Sequence, residues 1–389
     1  CTGETFIGAV GPTQIVSAKW NTASDRAGDA AVRAGVVEVG MKGRVYFADR
    51  CASCQDDTVI SVARKLEGCS AEDAWRYDNS EYSALKLLGK AFRYSVDLGP
   101  AVCGSNAALY LTSLRQNTNE STCLDYYCDA ASVCGVSCAE IDLQEANRHV
   151  WRTTLHTASD PFGKTNGTDQ PGGLNSTDYG PGARCIDTTR PFQVEAAFPV
   201  DAAGHLLGVK VTLRQMASLC SLSTMVDDYK PKGANGLRQL EAALRAGMTP
   251  IISYWGVDAD MSWLDGKECP DGGRARPGSD PVRFYGFSVG PIRAEPPRPS
   301  GGQAVPAPAL RKPRREVFGG SNADEVEAPE ELPTGQQPTA GREHPLPDFV
   351  WGSAGSSATP APTPTPAAAT PATADFGHAA QGLAEPEVG

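Results

Sequence analysis

The chain has 389 residues, a formal net charge of -11 and twelve cysteines. The acidic balance argues against DNA or RNA as a partner, because phosphate binding needs a positive face; an uncharged polymer such as a polysaccharide is compatible with it. No run of about 18 apolar residues is present, so no membrane-spanning helix is expected, and the length suits one large all-β domain or two ordinary ones.

The sequence opens at Cys1 with no Met and no charged-then-apolar leader, the form expected of a mature chain or a fragment with any signal peptide removed. The cysteines lie at 1, 51, 54, 69, 103, 123, 128, 134, 138, 185, 220 and 269. An even number confined to one part of a chain reads as a disulfide framework in an oxidising compartment. Cys51-Ala-Ser-Cys54 keeps a zinc reading open, although no second pair of matching spacing follows it. Three sequons, Asn119-Glu-Ser, Asn166-Gly-Thr and Asn175-Ser-Thr, agree with passage through a secretory route.

Alternation of apolar and polar residues predicts strands over 91–97, 192–198 and 207–213, 107–113 reads as a buried-strand run, and 250–255 and 282–289 complete the set. Asp201-Ala-Ala-Gly204 separates two of these runs as a hairpin turn should. The spacing of Leu237, Leu240 and Leu244 predicts one helix over 236–246. Many short strands with few helices imply a two-sheet β-sandwich. Near residue 296 the composition turns to Pro, Ala, Gly and Thr, ending in Ala361-Pro-Thr-Pro-Thr-Pro366. Such a segment buries too little apolar surface to offset its ordering entropy, so 296–389 is expected to be a disordered tail behind a folded unit at 1–295.

Glu140-Ile-Asp-Leu-Gln-Glu145 carries three acids within six residues. In a strand, Glu140 and Asp142 share one face and Glu145 breaks the parity; a bulge near Leu143 or Gln144 would restore it. Two carboxyls brought to within about 5–5.5 Å have the geometry of a retaining glycosidase. Like charges held this close raise at least one pKa. The same run also fits a helix with a solvated acidic face, in which Asp142 and Glu145 are ordinary i, i+3 neighbours.

With Ala146-Asn147 the run completes Glu-x-Asp-x-x-Glu-Ala-Asn after a Cys-rich segment, and here the sequence resembles glycoside hydrolase family 7, the fungal-type cellobiohydrolases and endoglucanases. The resemblance covers roughly residues 80–293 well and 14–50 weakly. It also rests on Leu87–Asp97 leading into Val102-Cys-Gly-Ser-Asn-Ala-Ala-Leu-Tyr110, on Cys128-Asp129-Ala130, on Tyr179-Gly-Pro-Gly182 with Asp187-Thr-Thr189, on Gly247–Trp255 with Trp263-Leu-Asp265, and on Phe287-Ser-Val-Gly-Pro291. It implies a concanavalin-like β-jelly roll of two curved antiparallel sheets. It implies Glu140 as nucleophile, Glu145 as acid/base, Asp142 as the carboxyl beside the nucleophile and His156 as the active-site histidine. Asn106, Tyr110 and Asp129 would line the substrate groove, with Trp255, Trp263 and Trp20 as sugar-stacking platforms; an indole packs on the apolar face of a glucosyl ring. Disulfides Cys128–Cys138, Cys123–Cys134 and Cys103–Cys269 are implied, along with no cofactor and no metal. A secreted monomer acting on a cellulose-like β-glucan is the expected form.

The sequence departs from the family at four places. Gln144 stands where the family has Trp. The segments 128–138 and 156–179 are short, which implies an open cleft and endo action. Gly266 stands where a product-gripping arginine would precede Cys269. Residues 51–77 read as an insertion, and no cysteine-bearing cellulose-binding module follows. A family 16 type β-1,3 or mixed-linkage glucanase, and a catalytically weakened glucan-binding wall protein, are the alternative readings.

Overall fold

Period-two alternation builds nearly all of the structure. The computed structural model describes residues 1–50, 79–171, 173–216, 218–256, 260–269 and 280–293; the expected insertion at 51–77 and the expected tail at 296–389 lie outside them. In chain order the strands are β1 (Gly3–Ile7), β2 (Gly11–Ser17), β3 (Ala30–Arg33), β4 (Val36–Val39), β5 (Gly43–Ala48), β6 (Lys90–Asp97), β7 (Asn106–Thr112), β8 (Glu140–Ala146), β9 (Trp151–His156), β10 (Lys164–Gly167), β11 (Tyr179–Gly180), β12 (Ile186–Asp187), β13 (Phe192–Ala197), β14 (Val209–Arg214), β15 (Ser221–Val226), β16 (Thr249–Trp255) and β17 (Val282–Pro291). Helix α1 (Gly236–Ala246) and the single turn α2 (Ser262–Asp265) interrupt them.

Two antiparallel sheets result. One runs β1-β2-β5-β16-β7-β8-β9-β10 and the other β15-β14-β13-β6-β17-β4-β3. Their facing sides share one core, in which Leu109, Leu111, Ile141, Leu143, Leu155 and Tyr254 of the first sheet meet Phe92, Tyr94, Val194, Val211 and Phe284 of the second. This is the two-sheet β-jelly roll, and every strand predicted from alternation is present. Helix α1 also falls where its spacing predicts: Asn235 caps it by accepting from the Arg238 amide, and Leu240 and Leu244 are buried.

The eight-stranded sheet buries residues on its other face too. Val16, Tyr46, Ala108, Tyr110 and Ile251 alternate with the core residues and are covered by Cys123, Tyr127, Cys128 and Cys134 from the loop ahead of β8. This second layer explains why all six residues of β5 are buried.

The disulfides Cys103–Cys269, Cys123–Cys134 and Cys128–Cys138 form as the resemblance implies, and Cys185–Cys220 joins them. No described cysteine is free, so none of those is left for zinc; Cys51 and Cys54 lie outside the described residues. Cys103 and Cys269 are 166 residues apart. Replacing both by Ser is expected to lower stability by about 2–4 kcal/mol, because the unfolded chain regains a long open loop. Urea unfolding of the double variant checks this.

Candidate active site

Strand β8 is where parity breaks. Against β7, Glu140, Ile141 and Asp142 pair with Thr112, Leu111 and Tyr110, while Gln144 and Glu145 pair with Leu109 and Ala108. Leu143 is therefore the extra residue. Against β9 the register slips between the same points: Asp142 faces Thr154 and Glu145 faces Arg152. The helical reading of the acid run is excluded. The bulge puts Leu143 and Gln144 together on the core side and returns Glu145 to the face of Glu140 and Asp142.

Local hydrogen bonds hold the bulge. The Thr153 hydroxyl donates to the carbonyl of the bulged Leu143 at 3.1 Å. Gln144, fully buried, donates to the Ala107 carbonyl at 2.9 Å and accepts from the Tyr94 hydroxyl of the opposite sheet at 3.1 Å. Gln144, standing where the resembled family has Trp, thus faces away from Glu145, into the sandwich, with its amide hydrogen-bonded on both sides. Beyond β8, the Asn147 amide donates to Asp265 at 2.7 Å, and Asp265 also accepts from the Gly104 amide at 2.7 Å. These contacts fix the far end of the strand next to the Cys103–Cys269 bridge.

Each acid then has its own surroundings. Glu140 is buried and accepts from the Ala130 amide at 2.9 Å. Asp142 is buried, with Nε2 of His156 at 3.1 Å from its carboxylate. Glu145 keeps partial exposure, accepting from Thr154 at 3.2 Å and from the Asn106 amide at 3.4 Å. Asn106 also accepts from the Ala146 amide at 3.0 Å, so its side chain spans the backbone and the carboxyl.

Burial and mutual repulsion push all three carboxyls upward. Glu140 rises well above the ordinary range, through burial first and then the charges of Asp142 and Asp129, against the pull of His156 and the Ala130 amide. Asp142 is pushed up to about 8 by burial and Asp129. Glu145 is pushed up to about 8 by burial and Asp142. Asp129 is itself raised by burial, while the Val133 amide favours its charge. Such a cluster titrates as a unit and keeps protons near neutral pH.

Of the expected groove residues, Asn106 and Tyr110 lie on β7 beside the acids and Trp255 on the next strand. Tyr110 faces Asp142 across the ladder, and its hydroxyl lies 3.0 Å from that of Tyr127. Trp255 pairs with Asn106 across β16 and β7. Trp255 and Trp263 stack on one another, with ring centroids 6.1 Å apart and planes 25° apart. Trp20 is half-buried, and the Arg26 guanidinium lies 5.1 Å from its ring centroid.

One group escapes sequence reasoning. Arg44 is buried, with its guanidinium 3.8 Å from the Tyr127 ring centroid, and it donates to the Trp20 carbonyl at 2.6 Å and to Tyr46 at 3.0 Å. Burial opposes its charge, but Tyr46, Tyr127, Tyr110 and Asp125 outweigh that and keep it cationic. Arg44 therefore backs the tyrosine pair beside the acids. The signal available was Arg44-Val-Tyr46, whose two long side chains share a strand face.

No protein-family model matches the chain. Among curated proteins it is 27% identical over 246 residues to endoglucanase type C of Fusarium oxysporum, covering 48% of this chain and 57% of that protein. It is 28% identical over 220 residues to endoglucanase EG-1 of Hypocrea jecorina, covering 48% and 47%. The chain thus spans about half the length of the curated relatives it matches. Its fold is that of endoglucanase I complexed with cellobiose, with a TM-score of 0.51 at 17% identity over 75% of this chain and 96% of that one. Glycosynthase variants of Humicola insolens Cel7B give a TM-score of 0.50 at 17% identity with the same coverage.

Proposed function

From the chain's relationship to glycoside hydrolase family 7, we propose that it hydrolyses internal β-1,4-glucosidic bonds of cellulose or a related β-glucan with retention of configuration. The observation that carries this is the bulge in β8, which sets Glu140, Asp142 and Glu145 on one face beside His156. In the first step a Glu140 oxygen attacks the anomeric carbon as the bond to the leaving oxygen breaks, and Glu145 gives that oxygen its proton. In the second, Glu145 takes a proton from water, whose oxygen displaces Glu140 from the anomeric carbon. Partial exposure of Glu145 fits the group that must reach both leaving oxygen and water. Asp142, held against His156 and repelling Glu140, adjusts the charge of the pair.

Endo action is favoured by the loop after β9, where only Thr157–Gly163 separate His156 from β10. A loop this short offers little to roof a tunnel. We assign the activity to residues 1–295, acting as a secreted monomer. Viscosity and reducing ends followed together on soluble β-1,4-glucan, lichenan and laminarin test the reading. An early fall in viscosity on the β-1,4 polymer supports it; cellobiose release without that fall contradicts endo action, and cleavage of laminarin alone favours the family 16 alternative.

Secretion carries its own expected result. Asn119 and Asn175 are exposed, whereas the Asn166 amide donates to the Met225 carbonyl at 3.0 Å. Glycopeptide mass spectrometry of chain secreted from a eukaryotic host is expected to find N-glycan on Asn119 and Asn175 and none on Asn166.

A further inference from the structure

The hairpin between β9 and β10 carries a phenylalanine that the chemistry above leaves unused. Phe162 is 87% exposed. Single exposed apolar side chains are ordinary on a protein surface; what sets Phe162 apart is how firmly, and where, its loop is held. The Thr157 amide donates to the Tyr229 hydroxyl at 2.8 Å, and that hydroxyl donates to the Asp160 carboxylate at 2.9 Å. The Asp160 carbonyl lies 3.1 Å from Nδ1 of His156, and the Ser137 hydroxyl donates to the Ala158 carbonyl. Pro161 restricts the backbone ahead of Phe162. Gly163 follows in a left-handed conformation, with φ of 64°, and a Cβ there would sit 2.6 Å from the His156 ring. The loop is thus locked against the same histidine whose other nitrogen faces Asp142.

Register fixes where this ring stands. His156 is opposite Glu140, so the hairpin leaves the sheet at the Glu140 end of the acid run. The Trp255–Trp263 pair stands at the other end, because Trp255 is opposite Asn106, and Asn106 is bonded to Glu145 and Ala146. Neighbouring strands are about 4.8 Å apart, so a ring on this hairpin is only a few strand spacings from the acids. An extended chain crossing the acids from the indole pair runs toward the hairpin. An exposed aromatic ring on a locked loop suits the apolar face of a glucosyl unit, because little side-chain entropy remains to be lost on binding.

We propose that Phe162 is a sugar-stacking platform that binds a β-glucan chain beyond the bond being cleaved and sets a preference for longer chains. This rests on the hydrolase reading and adds a subsite to it. The test compares wild type, Phe162→Ala and Phe162→Trp on a soluble β-1,4-glucan polymer and on an aryl β-cellobioside, which has no glucosyl unit beyond the bond being cleaved. For Phe162→Ala, the ratio of kcat/KM on the polymer to kcat/KM on the cellobioside is expected to fall about two- to ten-fold. The change should be carried by KM on the polymer, with Phe162→Trp restoring the ratio. An unchanged ratio in Phe162→Ala, or a loss that Phe162→Trp shares, overturns the platform while wild-type turnover keeps the hydrolase reading. Wild-type protein that turns over neither substrate removes both.

Discussion

Glu140→Gln is expected to lower kcat on β-1,4-glucan by roughly 10⁴- to 10⁶-fold, and Glu145→Gln by roughly 10²- to 10⁴-fold. Both substitutions keep size and remove charge, so the fold should tolerate them. Glu140 is held by the Ala130 amide, and Glu145 by Thr154 and Asn106; a glutamine carbonyl can still accept from each. The two losses differ in kind, and azide separates them. With Glu145→Gly and an activated aryl glycoside, the covalent intermediate still forms, and azide displaces Glu140 to give a β-glycosyl azide. With Glu140→Gly, azide takes the place of the missing nucleophile and gives the α-glycosyl azide. The opposite pairing of anomers would exchange the two roles. Dispensable carboxyls, with activity kept in both variants, would remove the acid run from the chemistry.

The second expected result is a pH profile displaced toward neutrality. Glu145 must carry a proton to release the leaving group, and burial and Asp142 raise it to about 8. Activity should therefore fall above pH 8, approaching ten-fold per pH unit. On the acid side Glu140 must lose its proton, and burial holds it above the usual carboxylate range, so that limb also lies higher than for an exposed glutamate. Stability moves with the same groups. Glu145 and Asp142 both have folded pKa values raised above the unfolded ones, so between about 4.5 and 8 the folded state binds more protons. Their stabilisation is complete below the unfolded pKa and is lost as pH rises through 8. Glu145→Gln removes one such group, and its stability should decline less than wild type from pH 5 to 8, by about 2–4 kcal/mol. Thermal unfolding across that range measures the difference. A parallel decline in both proteins would mean that Glu145 is not held protonated by the fold.

How much of this is legible in the sequence depends on the range of the interactions. Strands β6, β13, β14 and β17 are visible because alternation is local and long enough to read, and β7 and β16, buried on both faces, read as short apolar runs. The bulge is legible as a parity problem: three acids at spacings of two and three cannot share a strand face without an extra residue. The hydrogen bond that makes the bulge tolerable, from Thr153 to the Leu143 carbonyl, comes from the next strand and has no local signature. Gln144 reads as a lost tryptophan beside the acid; only the register shows it turned into the core toward Tyr94. The burial of Arg44 has no local signature, because the groups that compensate it, Tyr127 and the Trp20 and Asn21 carbonyls, come from distant segments. Trp255 and Trp263 are eight residues apart in sequence, so their stacking depends on the short turn α2 and not on strand periodicity. Strands β1 to β5 carry weaker signals: β3 and β4 have only four residues each, and β5 places Gly43 and Arg44 in a strand buried on both faces, so neither alternation nor an apolar run marks it.

The most direct measurement is proton NMR of the sugar released in the first moments of hydrolysis of a short β-1,4-glucan, before mutarotation scrambles it. The bulged strand, with Glu140 attacking and Glu145 serving as acid and then base, predicts that the new reducing end appears first as the β-anomer. That signal should be missing with Glu140→Gln. An α-anomer appearing first, or β-anomer production that survives Glu140→Gln, would contradict the assignment of Glu140 as the nucleophile of a retaining hydrolase.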